Sequence, residues 1–140
     1  EWQILIKQSN LSLKNMIVWK KNNWSMGDLK GAYAGQYEII FFAHKGRVEL
    51  TEGRDRDVWE FDREPPTLHP TMKPIELITK AIKNHEAKII VDFFLGSGST
   101  LIACEQTSRR CFGMELSPEY GATILERWAN LTGKTPELVD

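Results

Sequence analysis

Apolar residues fall into two patterns along this chain, and the change between them comes after residue 74. In EWQILIKQSNLSLKN, Trp2, Leu5 and Ile6 share one side of a short amphipathic helix. MIVWKK, from Met16, then has the β-branched and aromatic content of a short strand, and YEIIFFAHKG, with its unbroken apolar run Ile39–Ala43, is a second strand ending in a turn at Lys45 and Gly46. Between them NNWSMGDLKGAYAG mixes Gly, Asn, Asp and aromatics and reads as a loop of functional length. DVWEF, around Trp59, is a brief extended piece, and the prolines of REPPTLHPTMKP remove donors and fix the backbone, so that stretch is a linker.

From Ile75 onward, strand and helix alternate. IELITKAIKNH places Ile75, Leu77, Ile78, Ala81 and Ile82 on a buried helix face, and KIIVDFF is a β-branched run suited to a buried parallel strand. SGSTLIACEQTS is a helix capped by Ser97 or Ser99, RCFGMEL is another strand, and SPEYGATILERWANL is a helix with Ser117 as cap and Pro118 in its first turn. Strand, glycine loop, helix, strand, helix is half of a doubly wound α/β sheet.

Composition narrows the class without naming a function. A chain of 140 residues that is 41 % hydrophobic and 10 % aromatic can bury a core as a single globular domain. Its formal charge of −1 argues against general polyanion binding, so contact with nucleic acid must come from a local patch. Lys14, Lys20, Lys21 and Lys30, opposed only by Asp28 and interleaved with Trp19 and Trp24, form such a patch. Lys45, Arg47, Arg54 and Arg56 extend it, but Glu49, Glu52, Asp55 and Asp57 interleave these later charges, and a solvated face explains them equally well. Trp19 reads as core and Trp24 as the exposed aromatic. Cys104 and Cys111 have neither CxxC spacing nor a His cluster beside them, so they read as free thiols and no metal site is expected. With no signal peptide and no membrane-length apolar run, a cytoplasmic protein is expected.

The chemistry concentrates in DFFLGSGST, residues 92–100. A glycine loop between a parallel strand and a helix N-terminus directs backbone N–H groups and the positive end of a helix dipole at its ligand. A nucleoside triphosphate calls for GxxxxGK followed by Ser or Thr, and no Lys follows Gly98. A dinucleotide calls for GxGxxG, and Leu101 stands in the third glycine position. S-adenosylmethionine has no pyrophosphate and needs no third glycine; Asp92 is placed to take its ammonium group and Glu115, at the tip of the next strand, its ribose hydroxyls. This ligand is preferred over a dinucleotide, and a ligand-free strand-to-helix turn remains the plain alternative.

HPTMKP (residues 69–74), one helix and then VDFFLGSGST together resemble the DNA amino-methyltransferases, the adenine-N6 and cytosine-N4 enzymes of bacteria and phages, in the class whose cofactor motifs come last. NMIVWKKNN, MGDLKGAYAGQYEIIFFAHKG and RWANLTGK are similar to that family as well, so nearly the whole chain is covered. The resemblance implies a Rossmann-like S-adenosylmethionine-dependent methyltransferase fold. It implies that Asp92 and Phe94 line the methionine side of the cofactor, that Gly96, Ser97, Gly98, Ser99 and Thr100 form its floor, that Glu115 holds the ribose, and that Leu116 packs on the adenine. His69, Thr71 and Lys73 would close over the cofactor carboxylate, unless HPTMKP is only a stiff linker. Lys20, Lys21, Trp24 and Lys30 would face double-stranded DNA.

Two departures matter. Phe93 stands where the family has Pro. The family's catalytic motif, Asp, Asn or Ser followed by Pro-Pro and an aromatic residue, is missing; EPPT at Glu64 is a decoy, because Thr67 cannot stack on a base. The resemblance therefore places the catalytic motif and the central strands upstream of residue 1, with residues 1–63 as a strand pair with DNA-facing loops, 64–74 as the linker and 75–140 as the cofactor-binding half. Expected partners are DNA and either a second copy or a complementing N-terminal portion. A non-catalytic cofactor- or DNA-binding partner subunit and an NAD-dependent oxidoreductase fragment are the competing readings.

Overall fold

The computed structural model describes residues 2–63 and 72–139. The chain divides into two compact units, Glu1–Arg63 and Glu64–Asp140.

The first unit contains helix α1 (Trp2–Gln8) and strands β1 (Ser12–Lys20), β2 (Tyr37–His44) and β3 (Val58–Glu60), in the sheet order β2-β1-β3. The helix is shorter than its sequence suggests, and this corrects the expectation of a helix through Asn15. Asn10 adopts a left-handed φ of 58° and stops it, a conformation Asn tolerates better than other non-glycine residues. Pairing of Ser12 with His44 and Leu13 with Ala43 then draws the following residues into the antiparallel ladder, with an irregularity between Leu13 and Asn15. Here sheet pairing overrides a weak helical period.

Two tryptophans pair across the parallel strands β1 and β3 at the centre of this unit. Trp19 is 1 % exposed and its indole N–H donates to the Phe61 carbonyl at 2.9 Å; Trp59 is also buried and donates to the Arg56 carbonyl at 2.8 Å. A buried indole is stabilising when its one polar atom is satisfied, and both are.

The second unit follows the alternation read from the sequence: α2 (Ile75–Lys83), β4 (Ile89–Asp92), α3 (Ser99–Gln106), β5 (Arg110–Gly113) and α4 (Pro118–Thr132). β4 and β5 are parallel, pairing Ile89 with Arg110 through to Asp92 with Gly113. Helices α2 and α3 cover one face, where Ile82, Ala103 and Cys104 form a core joined by Ile75, Ile78, Ile90 and Cys111. Arg109 secures the far end by donating to the carbonyls of His85, Ala87 and Thr107. Strand alternation turns Ile89, Val91 and Phe112 to the opposite face, where each is more than half exposed.

The helix starts divide between expectation and correction. Ser117 caps α4, its hydroxyl accepting from the Tyr120 N–H at 3.4 Å, with Pro118 in the first turn. Neither Ser97 nor Ser99 caps α3; its cap residue is Gly98, left-handed at φ 84°, with no side-chain hydrogen bond.

Cys104 and Cys111 are both free thiols. Burial, and then the neighbouring Cys111, push Cys104 up to about 12 from an ordinary value of 9.0. The unfolded chain therefore releases this proton at lower pH than the folded one, so stability should fall as pH rises from 9.0 towards 12. Urea midpoints measured at about pH 8 and about pH 10 should show that fall, and replacing Cys104 by Ala should lessen it while lowering stability at both. In the native protein at about pH 8, iodoacetamide should leave Cys104 unmodified until denaturant is added.

Candidate active site

β4 ends at Asp92 and β5 at Gly113, so the residues that follow each strand emerge side by side. Asp92 bridges its own loop: one carboxylate oxygen accepts the Phe94 N–H at 2.9 Å and the other the Thr100 hydroxyl at 2.6 Å. Glu115 does the same between segments, accepting the Gly96 N–H at 2.7 Å on one oxygen and the Ser117 N–H at 2.9 Å on the other. Ionised carboxylates suit backbone N–H donors at the start of helices.

The glycines have separate duties. Gly96 sits at φ 55° and Gly98 at φ 84°, a region that disfavours a side chain. A Cβ on Gly98 would also lie 3.0 Å from Cγ1 of Ile124 on α4, so this glycine makes room for a helix. Gly113 accommodates the Leu95 side chain, which a Cβ would strike at 2.0 Å.

Around this loop opens a cleft of about 570 Å³, within the range of small-molecule sites. Lys73, Asp92, Phe94, Gly96, Ser97, Ser99, Thr100, Glu115 and Leu116 all line it, so nine residues singled out from the sequence converge. Gly98 is not among the lining residues. His69 and Thr71, and the decoy EPPT, lie outside the described residues. The cleft also takes in Met72, Leu95 and Met114, not singled out in the sequence, together with Phe93, noted there only as standing in place of Pro, and Ile78, expected only as part of a buried helix face. Met114 was within reach, as the residue just before Glu115 on the same strand tip.

Its chemistry is mixed. Phe94 and Leu116 are 89 % and 97 % exposed, two apolar surfaces with nothing packed on them. Ser99 is 5 % exposed, yet its hydroxyl has no hydrogen-bond partner among the described residues. A buried hydroxyl left unpaired is costly.

In the first unit the basic patch is partly spent. Lys20 pairs with Glu60 at 3.1 Å, and Lys21, which also lies 5.5 Å from the Trp19 ring centre, pairs with Glu38 at 2.9 Å. Trp24 is 68 % exposed, and Lys30 lies beyond it in the same loop, also exposed. The backbone N–H groups of Lys30 and Gly31 hold the Asp28 carboxyl below its usual range and shape a turn there. Among the described residues there is no cluster of His, Cys, Asp or Glu able to hold a metal, and no helix long and apolar enough to cross a membrane.

A parallel βαβ unit with an acidic residue at each strand tip and a glycine loop between them defines a Rossmann-like nucleoside-binding class. The profile of the DNA methylase family N6_N4_Mtase matches residues 1–126, and the chain belongs to that family. It is 33 % identical over 126 residues to "Putative methylase YubD" of Escherichia coli (strain K12), covering 88 % of this chain and 54 % of that protein. It is 26 % identical over 133 residues to the type II methyltransferase M.SmaI of Serratia marcescens, covering 82 % of this chain and 46 % of the relative. The chain thus spans about half the length of these relatives. The crystal structure of the M1.HpyAVI–SAM complex superposes with a TM-score of 0.76 at 27 % identity, over 89 % of this chain and 66 % of the other.

Replacing Gly98 by Ala should destabilise the protein by about 1–2 kcal/mol from the left-handed backbone alone, and more if Ile124 cannot move aside. Gly121, inside α4 with nothing within 4 Å of an added Cβ, is the contrast. Gly121→Ala should stabilise by up to about 1 kcal/mol, both changes being read as shifts in urea midpoint.

Proposed function

We propose that this chain is the cofactor-binding part of a DNA methylase that uses S-adenosylmethionine to methylate the exocyclic amine of adenine (N6) or cytosine (N4). The observation that carries the reading is the pair of strand-tip carboxylates, Asp92 and Glu115, facing one cleft across the glycine loop. The site fits the group: a nucleoside needs an apolar surface and an acceptor for its hydroxyls, which Leu116 and Glu115 offer. An amino-acid tail needs an acceptor for its ammonium and donors for its carboxylate, which Asp92 offers on one side and Lys73 and the buried Ser99 hydroxyl on the other. His69 and Thr71 would complete the carboxylate side, and Phe94 would cover the methionine chain.

When bound, the cofactor supplies a methyl group on a positively charged sulfur, open to direct attack by an amine. The residues of this chain fix its position, which is worth several orders of magnitude in rate when the acceptor is aligned. The acceptor base would leave the duplex to reach the cleft, and Trp24 and Lys30 are the candidates for holding DNA. Aiming the base requires the missing Pro-Pro-aromatic motif. The exposed apolar face of the β4–β5 pair supports an incomplete sheet, because parallel sheets are covered on both faces. A complementing N-terminal portion would supply both. The same absence favours, as a second reading, a non-catalytic subunit that serves another chain's catalytic motif.

Calorimetry on the 140-residue chain should show binding of S-adenosylmethionine and none of NAD. Asp92→Ala should weaken that binding by about tenfold or more, the loss expected for a hydrogen bond to a charged group. Transfer of labelled methyl to DNA should be negligible with this chain alone and appear when a polypeptide carrying the missing motif is added. Binding of NAD alone would overturn the cofactor reading; full turnover by the chain alone would overturn the division of labour.

A further inference from the structure

Three consecutive residues of the glycine loop are held by three different residues of the segment that runs from β5 into α4. Gly96 donates its N–H to Glu115, and Gly98 rests against Ile124. Between them, Ser97 is 3 % exposed and receives the Arg127 guanidinium, which donates to its carbonyl at 2.5 Å and to its hydroxyl at 3.2 Å. Ile124 and Arg127 are three residues apart on α4 and so share a face, the one turned to the loop.

We propose that Arg127 is a positioning residue that sets the height of the glycine loop through Ser97, and thereby the affinity of the cleft for S-adenosylmethionine. The proposal rests on the cofactor reading above. The physical reason is geometric. The Ser97 carbonyl lies in a turn between two left-handed glycines, which of all residues constrain their own backbone least. Without an external anchor the loop would sample many heights, and the cofactor would have to order it on binding. Arg127 brings one guanidinium nitrogen, Nη1, to both Ser97 acceptors from a helix, and so adds to the Asp92 and Glu115 anchors a third that orders the loop before the ligand arrives. Because such coupling is reciprocal, bound cofactor should in turn tighten α4 against the loop.

The test combines ligand affinity with amide exchange in the full chain. Arg127→Met keeps the aliphatic stem and removes the donors; it should weaken S-adenosylmethionine binding by about tenfold, with Arg127→Lys falling between it and wild type. In the same variants the Gly96 and Gly98 amides should exchange faster, while those of Ile102 and Ala103 in α3 stay protected. Glu126→Ala, an exposed neighbour on α4, should change neither. In wild type, added cofactor should slow exchange across residues 124–128. Affinity for Arg127→Met within about twofold of wild type, or unchanged exchange at Gly96 and Gly98, overturns the proposal. Should Arg127→Met not fold, Arg127→Lys decides by the same two measurements. Should wild type bind no S-adenosylmethionine, the cofactor reading falls and this proposal with it, while unchanged exchange in a wild type that binds isolates the failure to Arg127.

Discussion

The second unit depends on one constraint: a loop of minimal side-chain content has to leave β4 and enter α3 along the edge of a cleft, with the N–H groups of Phe94, Leu95, Gly96 and Gly98 all satisfied within the protein. Such a loop has little to pack with, since a glycine contributes no buried side chain and loses the most entropy on ordering. The structure meets this with carboxylates and one guanidinium. Asp92 holds the loop from its own strand, Glu115 from the neighbouring strand, and Arg127 from the following helix. The apolar core beneath, built on Ile82, Ala103 and Cys104 with Ile90 and Cys111 against it, holds the two strands to α2 and α3. Chemistry at the top of the sheet is therefore set by packing at its side.

Much of this could be read from residue order because local signals agreed with one another. The β-branched run ending in Asp92, the Gly-Ser-Gly that follows, and the Ser-Pro start of α4 each point to one local conformation, and each element formed where its pattern placed it. The tips of adjacent parallel strands lie together by necessity, so Asp92 and Glu115 could be paired without coordinates. What could not be read was long-range. Arg127 follows Glu126 on a helix and looks like half of a solvated charge pair; only the tertiary docking of α4 brings it to Ser97. Gly98 was read as part of a ligand floor, and its further roles as the α3 cap and as the neighbour of Ile124 are invisible in a linear motif. Residues 12–15 joined a strand because of their partners in β2, and Lys20 and Lys21 found Glu60 and Glu38 in the same way.

The two acidic side chains then carry a double duty. Their sequence positions suggest ligand contacts, and in the structure they already accept N–H and O–H donors from the protein. These roles do not exclude each other, because a carboxylate offers about four lone-pair sites and can accept from the protein and from a ligand together. A group that shapes the loop and also meets the ligand couples the two events. Neutralising either carboxylate would loosen the backbone as well as remove an acceptor, so its effect on binding would exceed that of a simple contact.

The contacts that form the cleft are of short range. The hydrogen bonds of Asp92, Glu115 and Arg127 at the cleft join β4, α3, β5, α4 and their connecting loops, all contiguous in sequence. Contacts of such short range order early and need little from distant chain. The face bearing Ile89, Val91 and Phe112 is the converse: apolar, parallel-stranded and more than half exposed, it takes no part in those contacts.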